Sequence, residues 1–234
     1  MGFEARVRRV TPRTAIDFSM RIPRCYCGVS LTHAHDNFEG ARLSALIEWL
    51  ASHSERCRLV IGDDLHRWNV MIWDGLLGVE ALRTARNRGE EFLKTVTPLL
   101  SRYSDRQFEV VYWRELANRP VFSSLKREIS HAISLDVNLA DCLRTSAHCF
   151  IDRQLRRGHH LQTSFERAVE YSQQYIVEEV AVFGLLGAEG WQVDVYPGQE
   201  LPLLTRMTKC KSPAIPKTLL KRVNVELKLH PTSS

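Results

Sequence analysis

No run of the chain approaches the ~18 consecutive apolar residues that a membrane-spanning helix needs. The opening segment, MGFEARVRRV, has no apolar stretch of the secretory kind, so a cytoplasmic protein that stays off membranes is expected. Six cysteines (Cys25, Cys27, Cys57, Cys142, Cys149 and Cys210) form no Cys-x-x-Cys pair and no four-ligand zinc spacing. Reduced, mostly buried thiols are the expectation, without a structural metal. There is no G-x-G-x-x-G and no G-x-x-x-x-G-K-[ST], so neither a dinucleotide nor a P-loop nucleotide is supported, and no cofactor is expected. Lysine is scarce, with seven against 25 arginines. Together these exceed the 27 acidic residues and leave a net charge of +5. Arginine forks match phosphate bidentately, so this imbalance is compatible with a polyanionic partner without establishing one.

What is present is ordinary globular composition, 44% hydrophobic and 25% charged over 234 residues. With no internal repeat and no low-complexity linker, one domain over residues 1–234 is expected, its core at about 25–210. Apolar runs at Cys25–Ser30, Cys57–Gly62 and Phe108–Trp113 read as strands. Between them the periodicity predicts helices at 40–53 and 70–101. This β-α-β-α-β order implies parallel strands covered by helices, an α/β Rossmann-like sheet. The second half reads as helical over 121–135, 139–156 and 163–188. A strand at Trp191–Tyr196, a short helix at 200–207 and an edge strand at Val223–Leu229 complete the reading. In such sheets ligands bind beyond the carboxyl ends of the strands, which places chemistry near residues 30–37, 62–64, 113–115 and 196–198.

Ser30 stands where the first predicted strand meets its loop, either as a turn serine or as a nucleophile. His33-x-His35 with Asp36 resembles the start of a metal-dependent hydrolase site, but no histidine follows at the later strand ends. The other reading of the two histidines is a polar loop. Tyr175 and Glu179 share a helical face, either as a surface pair or with Glu179 partly desolvated at the edge of a buried stripe. Basic residues cluster at Arg83, Arg86, Arg88 and Lys94, at Arg153, Arg156 and Arg157, and between Leu201 and Val225, a stretch without one acidic residue. Each is a solvated face or part of a polyanion site.

In order and spacing, these residues resemble the tRNA-dependent cyclodipeptide synthase family. The resemblance rests on Gly28-Val29-Ser30, Phe38, the basic helix near 83–94, Tyr175-x-x-x-Glu179 and Tyr196-Pro197, over about residues 25–210. It implies a fold like the catalytic domain of class Ic aminoacyl-tRNA synthetases. The activity it implies is joining amino acids from two aminoacyl-tRNAs into a cyclic dipeptide, without ATP and without an obligatory protein partner. Of the family's two branches, the one with Tyr-Pro after the later strand fits better, because His33 stands where the other has Asn. By the same resemblance Ser30 would take the first aminoacyl group, Tyr175 and Glu179 would hold its ammonium group, and Tyr196 would relay protons. Arg83, Arg86, Arg88 and Lys94 would hold tRNA.

Tyr26 and Gly28 share the parity of Ser30, so they are expected to line the first substrate pocket. An unpaired Tyr26 hydroxyl there would favour a small or polar amino acid. His33 and Asp63, at strand ends, and Asp152 and Arg153, at a second pocket, complete the expected substrate-binding set. A metal-dependent hydrolase using His33 and His35, or a non-catalytic tRNA-binding module, are the alternatives.

Overall fold

The computed structural model describes residues 2–12, 16–31, 36–104, 107–209 and 214–232. Six strands form one sheet in the order β1-β6-β5-β2-β3-β4. They are β1 (Phe3–Thr11), β2 (Ile22–Val29), β3 (Ser54–Ile61), β4 (Phe108–Tyr112), β5 (Val193–Tyr196) and β6 (Val223–Pro231). All neighbouring pairs are parallel except β1 with β6, which is antiparallel. The expected α/β sheet is therefore present, with helices on both faces.

On one face, α1 (Gly40–His53) and α3 (Gly78–Leu100) cover Cys25, Cys27, Val29, Cys57, Leu59, Val195 and Val225. The other face carries Tyr26, Val60 and Val111. It is covered by α2 (Arg67–Trp73), α4 (Trp113–Ala117), α5 (Pro120–Leu135), α6 (Val137–Arg156) and α7 (Phe165–Ala188), with α8 (Pro202–Lys209) and α9 (Lys217–Leu220) packed beside them. Cys25, Cys27 and Cys57 are buried free thiols, and burial pushes those of Cys27 and Cys57 well up.

Local signals explain the helix starts. Asp136 accepts backbone N–H bonds from Asn138 and Leu139 at the head of α6, and Ser164 accepts one from Arg167 at the head of α7. Proline opens α5, where its missing N–H costs nothing.

Three expectations need correction. The predicted helix at 70–101 is two helices, because Gly75 and Gly78 take positive φ between them, which ends α2 and restarts the chain as α3. β1 lies outside the strands expected from sequence, since FEARVRRVT carries four charges and shows no apolar run. It nevertheless pairs with β6 along its whole length, so β6 is an interior strand rather than the predicted edge. A strand at the sheet's rim can hold charge because one face meets solvent.

Strand order reverses beside β2, with β3 on one side and β5 on the other. Such a switch point leaves a crevice at the carboxyl ends of the two adjacent strands. Ser30 follows β2 there, and Tyr196 ends β5.

Candidate active site

Two stripes meet at this crevice. Tyr26, Gly28 and Ser30 alternate along one face of β2 and its end, as their parity requires. Above them Tyr175, Glu179 and Phe183 recur every four residues along α7. Phe183 packs on Tyr26, with ring centres 5.6 Å apart. At the other end Tyr175 and Ser30 share a hydrogen bond. A Cβ on Gly28 would reach Phe183 at 3.9 Å, so glycine leaves open the space between the stripes.

Tyr196 closes the third side. Its ring lies 6.1 Å from that of Phe38, and Asn37 Nδ2 donates to the Pro197 carbonyl, tying the loop after β2 to the end of β5. A Cβ at Gly198 would stand 2.9 Å from the Tyr196 ring, so only glycine lets that ring fold back over its own turn.

Tyr175, Glu179 and Tyr196 each keep some accessible surface, yet their polar tips sit in a poorly hydrated space. Burial, then the Asp194 charge, pushes the Glu179 carboxyl up to about 8, against an opposing pull from Arg222. Burial, then Glu179, pushes both phenols up, so they stay protonated as hydrogen-bond donors. Arg153 opposes this at Tyr196, which brings the expected second-pocket residue to the site's edge. Its guanidinium also lies 6.0 Å from the Phe150 ring. Asp152 is exposed on the same turn of α6. Ser30, Gly28, Tyr175, Glu179, Tyr196 and Arg153 are thus brought together. A serine beside a protonated phenol and a carboxyl group suits transfer of an already activated acyl group, where positioning and oxyanion stabilisation dominate.

Other expected residues are placed differently. Asp63 is completely buried, bonded to the Arg114 backbone N–H at 3.1 Å and ion-paired with its guanidinium at 3.1 Å. It anchors α4 and is closed to substrate, because a carboxylate at this depth must be matched by charge. Tyr26 is also completely buried, and its hydroxyl accepts from Arg222 Nε at 3.1 Å. The expected unpaired hydroxyl does not exist, and the preference for a small or polar amino acid loses that support. His33, together with His35, lies outside the described residues. Among the described residues no group of His, Cys, Asp and Glu is arranged to hold a metal ion.

On α3, Arg83 and Lys94 are exposed, but Arg86 makes two bonds to Asp64, at 2.7 and 3.0 Å. Arg88 is held by His66 and Asp74, both at 2.8 Å. These two arginines stitch α3 to the α2 region, with the Arg86 side chain still 44% exposed. Sequence reading found only half of a second basic surface, since Arg206 and Lys209 lie in the basic stretch between Leu201 and Val225 but Arg8 and Arg9 were not grouped with them. A cleft of about 880 Å³ between β1 and α8 carries Arg8, Arg9, Arg206 and Lys209, all exposed and none ion-paired to a described residue. Its acids lie at the floor, where Glu226 Oε1 accepts the Glu200 N–H and the Glu200 carboxylate takes Arg222 and Thr205. The signal was the arginine run Arg6, Arg8 and Arg9, unread because β1 was not recognised as a strand.

No helix among the described residues is long and apolar enough to cross a membrane. A family model described as "Cyclodipeptide synthase" matches residues 23–188. No curated protein matches the sequence. Solved structures share the fold at low identity. A cyclodipeptide synthase from Fluoribacter dumoffii superposes with a TM-score of 0.80 at 17% identity, covering 99% of this chain and 100% of that one. A Mycobacterium tuberculosis protein, described as relating cyclodipeptide synthetases to type I tRNA synthetases, gives 0.71 at 17% identity, covering 99% and 94%. The cyclodipeptide synthase of Candidatus Glomeribacter gigasporarum, solved bound to Phe-tRNAPhe, gives 0.66 at 16%, covering 94% and 92%.

Proposed function

Because this chain belongs to the cyclodipeptide synthase family, whose members are tRNA-dependent aminoacyltransferases, we propose that it joins two aminoacyl groups through an aminoacyl-Ser30 intermediate. The observation that carries the reading is the hydrogen bond between Ser30 and Tyr175 with Glu179 one helical turn away.

In the first step Ser30 Oγ attacks the ester carbonyl of a charged tRNA. The bond to the ribose oxygen breaks, and the serine proton passes to that oxygen. Glu179, with Tyr175, holds the α-ammonium group, and the pair fixes the carbonyl over Ser30. In the second step the free amine of a second aminoacyl-tRNA attacks the seryl ester. The new amide carries the first residue, Ser30 is released with its proton, and the dipeptidyl-tRNA cyclises as its own amine displaces the second ribose oxygen. Tyr196, protonated and beside Glu179, is positioned to pass protons in these exchanges. A covalent intermediate and two sequential donors require ping-pong kinetics. No external energy source is needed, since each ester bond supplies one amide. Tyr196-Pro197 supports the branch of the family with that pair. The substrates are made in the cytoplasm, where we place the protein.

For docking, the β1–α8 cleft is favoured over α3. Its four cations are uncommitted to described partners, whereas Arg86 and Arg88 serve the fold. Phosphate neutralisation and counterion release need cations that are not already paired.

The test is expression in bacteria, whose own charged tRNAs are substrates, with mass spectrometry of the medium for cyclic dipeptides and of the intact protein for an acylated Ser30. Absence of both, from folded protein across all charged tRNAs, refutes the reading.

A further inference from the structure

Beneath Glu179 lies a cluster of buried charge that the acyl transfer itself does not consume. Arg222, just before β6, is 7% exposed. Its Nε donates to the Tyr26 hydroxyl at 3.1 Å, its Nη1 to Glu200 at 2.6 Å and its Nη2 to Asp194. The guanidinium also stands 5.1 Å from the centre of the Phe183 ring, the next residue of the α7 stripe after Glu179. Asp194 is 3% exposed and sits in register with Tyr26 on β2. Its Oδ1 has no hydrogen-bond partner among the described residues, so its charge is offset through the single bond from Arg222 to Oδ2.

Asp194 and Glu200 share this one guanidinium, but Glu200 also accepts from Thr205 and lies at the floor of the basic cleft, whereas burial raises the Asp194 carboxyl and Arg222 opposes that. A buried carboxylate ionises only where a cation or hydrogen-bond donors offset it. Glu179 therefore faces Asp194 across a floor in which Arg222 is the fixed cation, and the further cation that it would meet is the substrate's ammonium group.

We propose that Arg222 is a positioning residue of the acyl-transfer site. By offsetting Asp194 and Glu200 under the α7 stripe, it lets Glu179 ionise when an ammonium group arrives, and so sets the pH range in which the clamp operates. This rests on the reading of Glu179 as the ammonium-binding carboxylate. The titratable and charged groups facing Glu179 are Asp194 and Tyr196 from β5, Tyr175 from α7 itself, and Arg222 from the loop before β6, while Tyr26 from β2 and Glu200 bond to Arg222 and act through it. Arg153 from α6 acts on Tyr196. The elevated carboxyl of Glu179 agrees, since burial and Asp194 raise it while Arg222 works against both. Without the guanidinium only the raising influences remain.

The experiment measures Ser30 acylation of the full chain by bacterial tRNA charged with a labelled amino acid, across about pH 6 to 9. Arg222→Met should move the rising limb of the pH profile alkaline by about one unit or more, which lowers the rate near pH 7 about tenfold. Arg222→Lys keeps the charge and should keep the limb in place. Asp194→Asn removes the charge that raises the Glu179 carboxyl and should move the limb acid-ward. If Arg222→Met does not fold, Asp194→Asn alone decides. The proposal is overturned if the folded variants lose rate equally at every pH, or keep the wild-type profile, while Glu179→Gln still slows acylation. If Glu179→Gln has no effect, the reading of Glu179 itself fails, which is a separate result.

Discussion

Replacing Glu179 by glutamine keeps the side chain's size and removes its ability to ionise. In the folded protein its carboxyl is pushed up to about 8 from an ordinary 4.5, by burial first and then by Asp194, with Arg222 opposing. In the unfolded chain it titrates near the ordinary value. Between these two values the folded protein keeps a proton that the unfolded chain has lost, so stability falls as pH rises, by up to about 1.4 kcal/mol per pH unit. The contribution is fully present below about pH 4.5 and is gone once the pH passes about 8. Summed over that window the ceiling is about 5 kcal/mol, and water entry at the half-open site brings it to roughly half. For a chain of this size 1 kcal/mol moves the melting midpoint by about 2–4 °C, so the effect is on the order of 10 °C. The glutamine variant carries none of it. Its melting midpoint should match wild type near pH 5, rise above it progressively toward pH 8, and run parallel beyond. Over the same range Ser30 acylation should slow by ~10-fold or more, because a charge-assisted contact to the ammonium group is lost. Calorimetry or circular dichroism melts in a pH series measure the first effect, and trapping of the acyl-enzyme measures the second. Melting curves that stay the same distance apart at every pH would refute the buried, neutral carboxyl and the argument built on it.

Ser30→Ala should abolish acyl-enzyme and product alike while shifting stability by less than about 0.5 kcal/mol, since a half-buried hydroxyl at a loop contributes little; turnover near the wild-type rate would remove the covalent step. Charge reversal of Arg8 and Arg9 should flatten the salt dependence of tRNA binding more than reversal of Arg83 does, which filter binding across a salt series reads directly; the opposite ranking would move the docking surface to α3. Tyr26→Phe leaves Arg222 Nε without its acceptor and should cost about 1–3 kcal/mol in denaturant melts, and an unchanged midpoint would mean that the bond contributes nothing. Asp63→Ala should be worse than any of these for the fold, because it leaves the Arg114 backbone N–H without its acceptor and the Arg114 guanidinium with Glu90 alone, whereas normal stability with slowed acylation would return Asp63 to the substrate site.

The local signals in this chain were sufficient for much of the architecture. Apolar runs of six residues alternating with amphipathic helices dictate a parallel sheet, and the parity of Tyr26, Gly28 and Ser30 dictates a common face. The four-residue spacing of Tyr175 and Glu179 likewise puts both on one side of a helix whichever way that helix packs. What sequence could not supply is what lies opposite. Glu178 and Glu179 are chemically equal neighbours, yet Glu178 is spent on Arg67, Lys126 and Trp68, while Glu179 faces the crevice. Only the packing of α2 and α5 on α7 decides that difference. Asp63 and Arg86 looked available for substrate and tRNA because their partners, Arg114 and Asp64, are 51 and 22 residues away along the chain. β1 was invisible for a related reason. Its charged residues break any apolar run, and only β6, more than 200 residues later, supplies the strand that pairs with it. Periodicity reports the conformation of a segment, because it depends on neighbours along the chain. The ionisation of Glu179, the pairing of Tyr26 with Arg222 and the basic cleft of β1 and α8 depend on groups that only folding brings within a few ångströms.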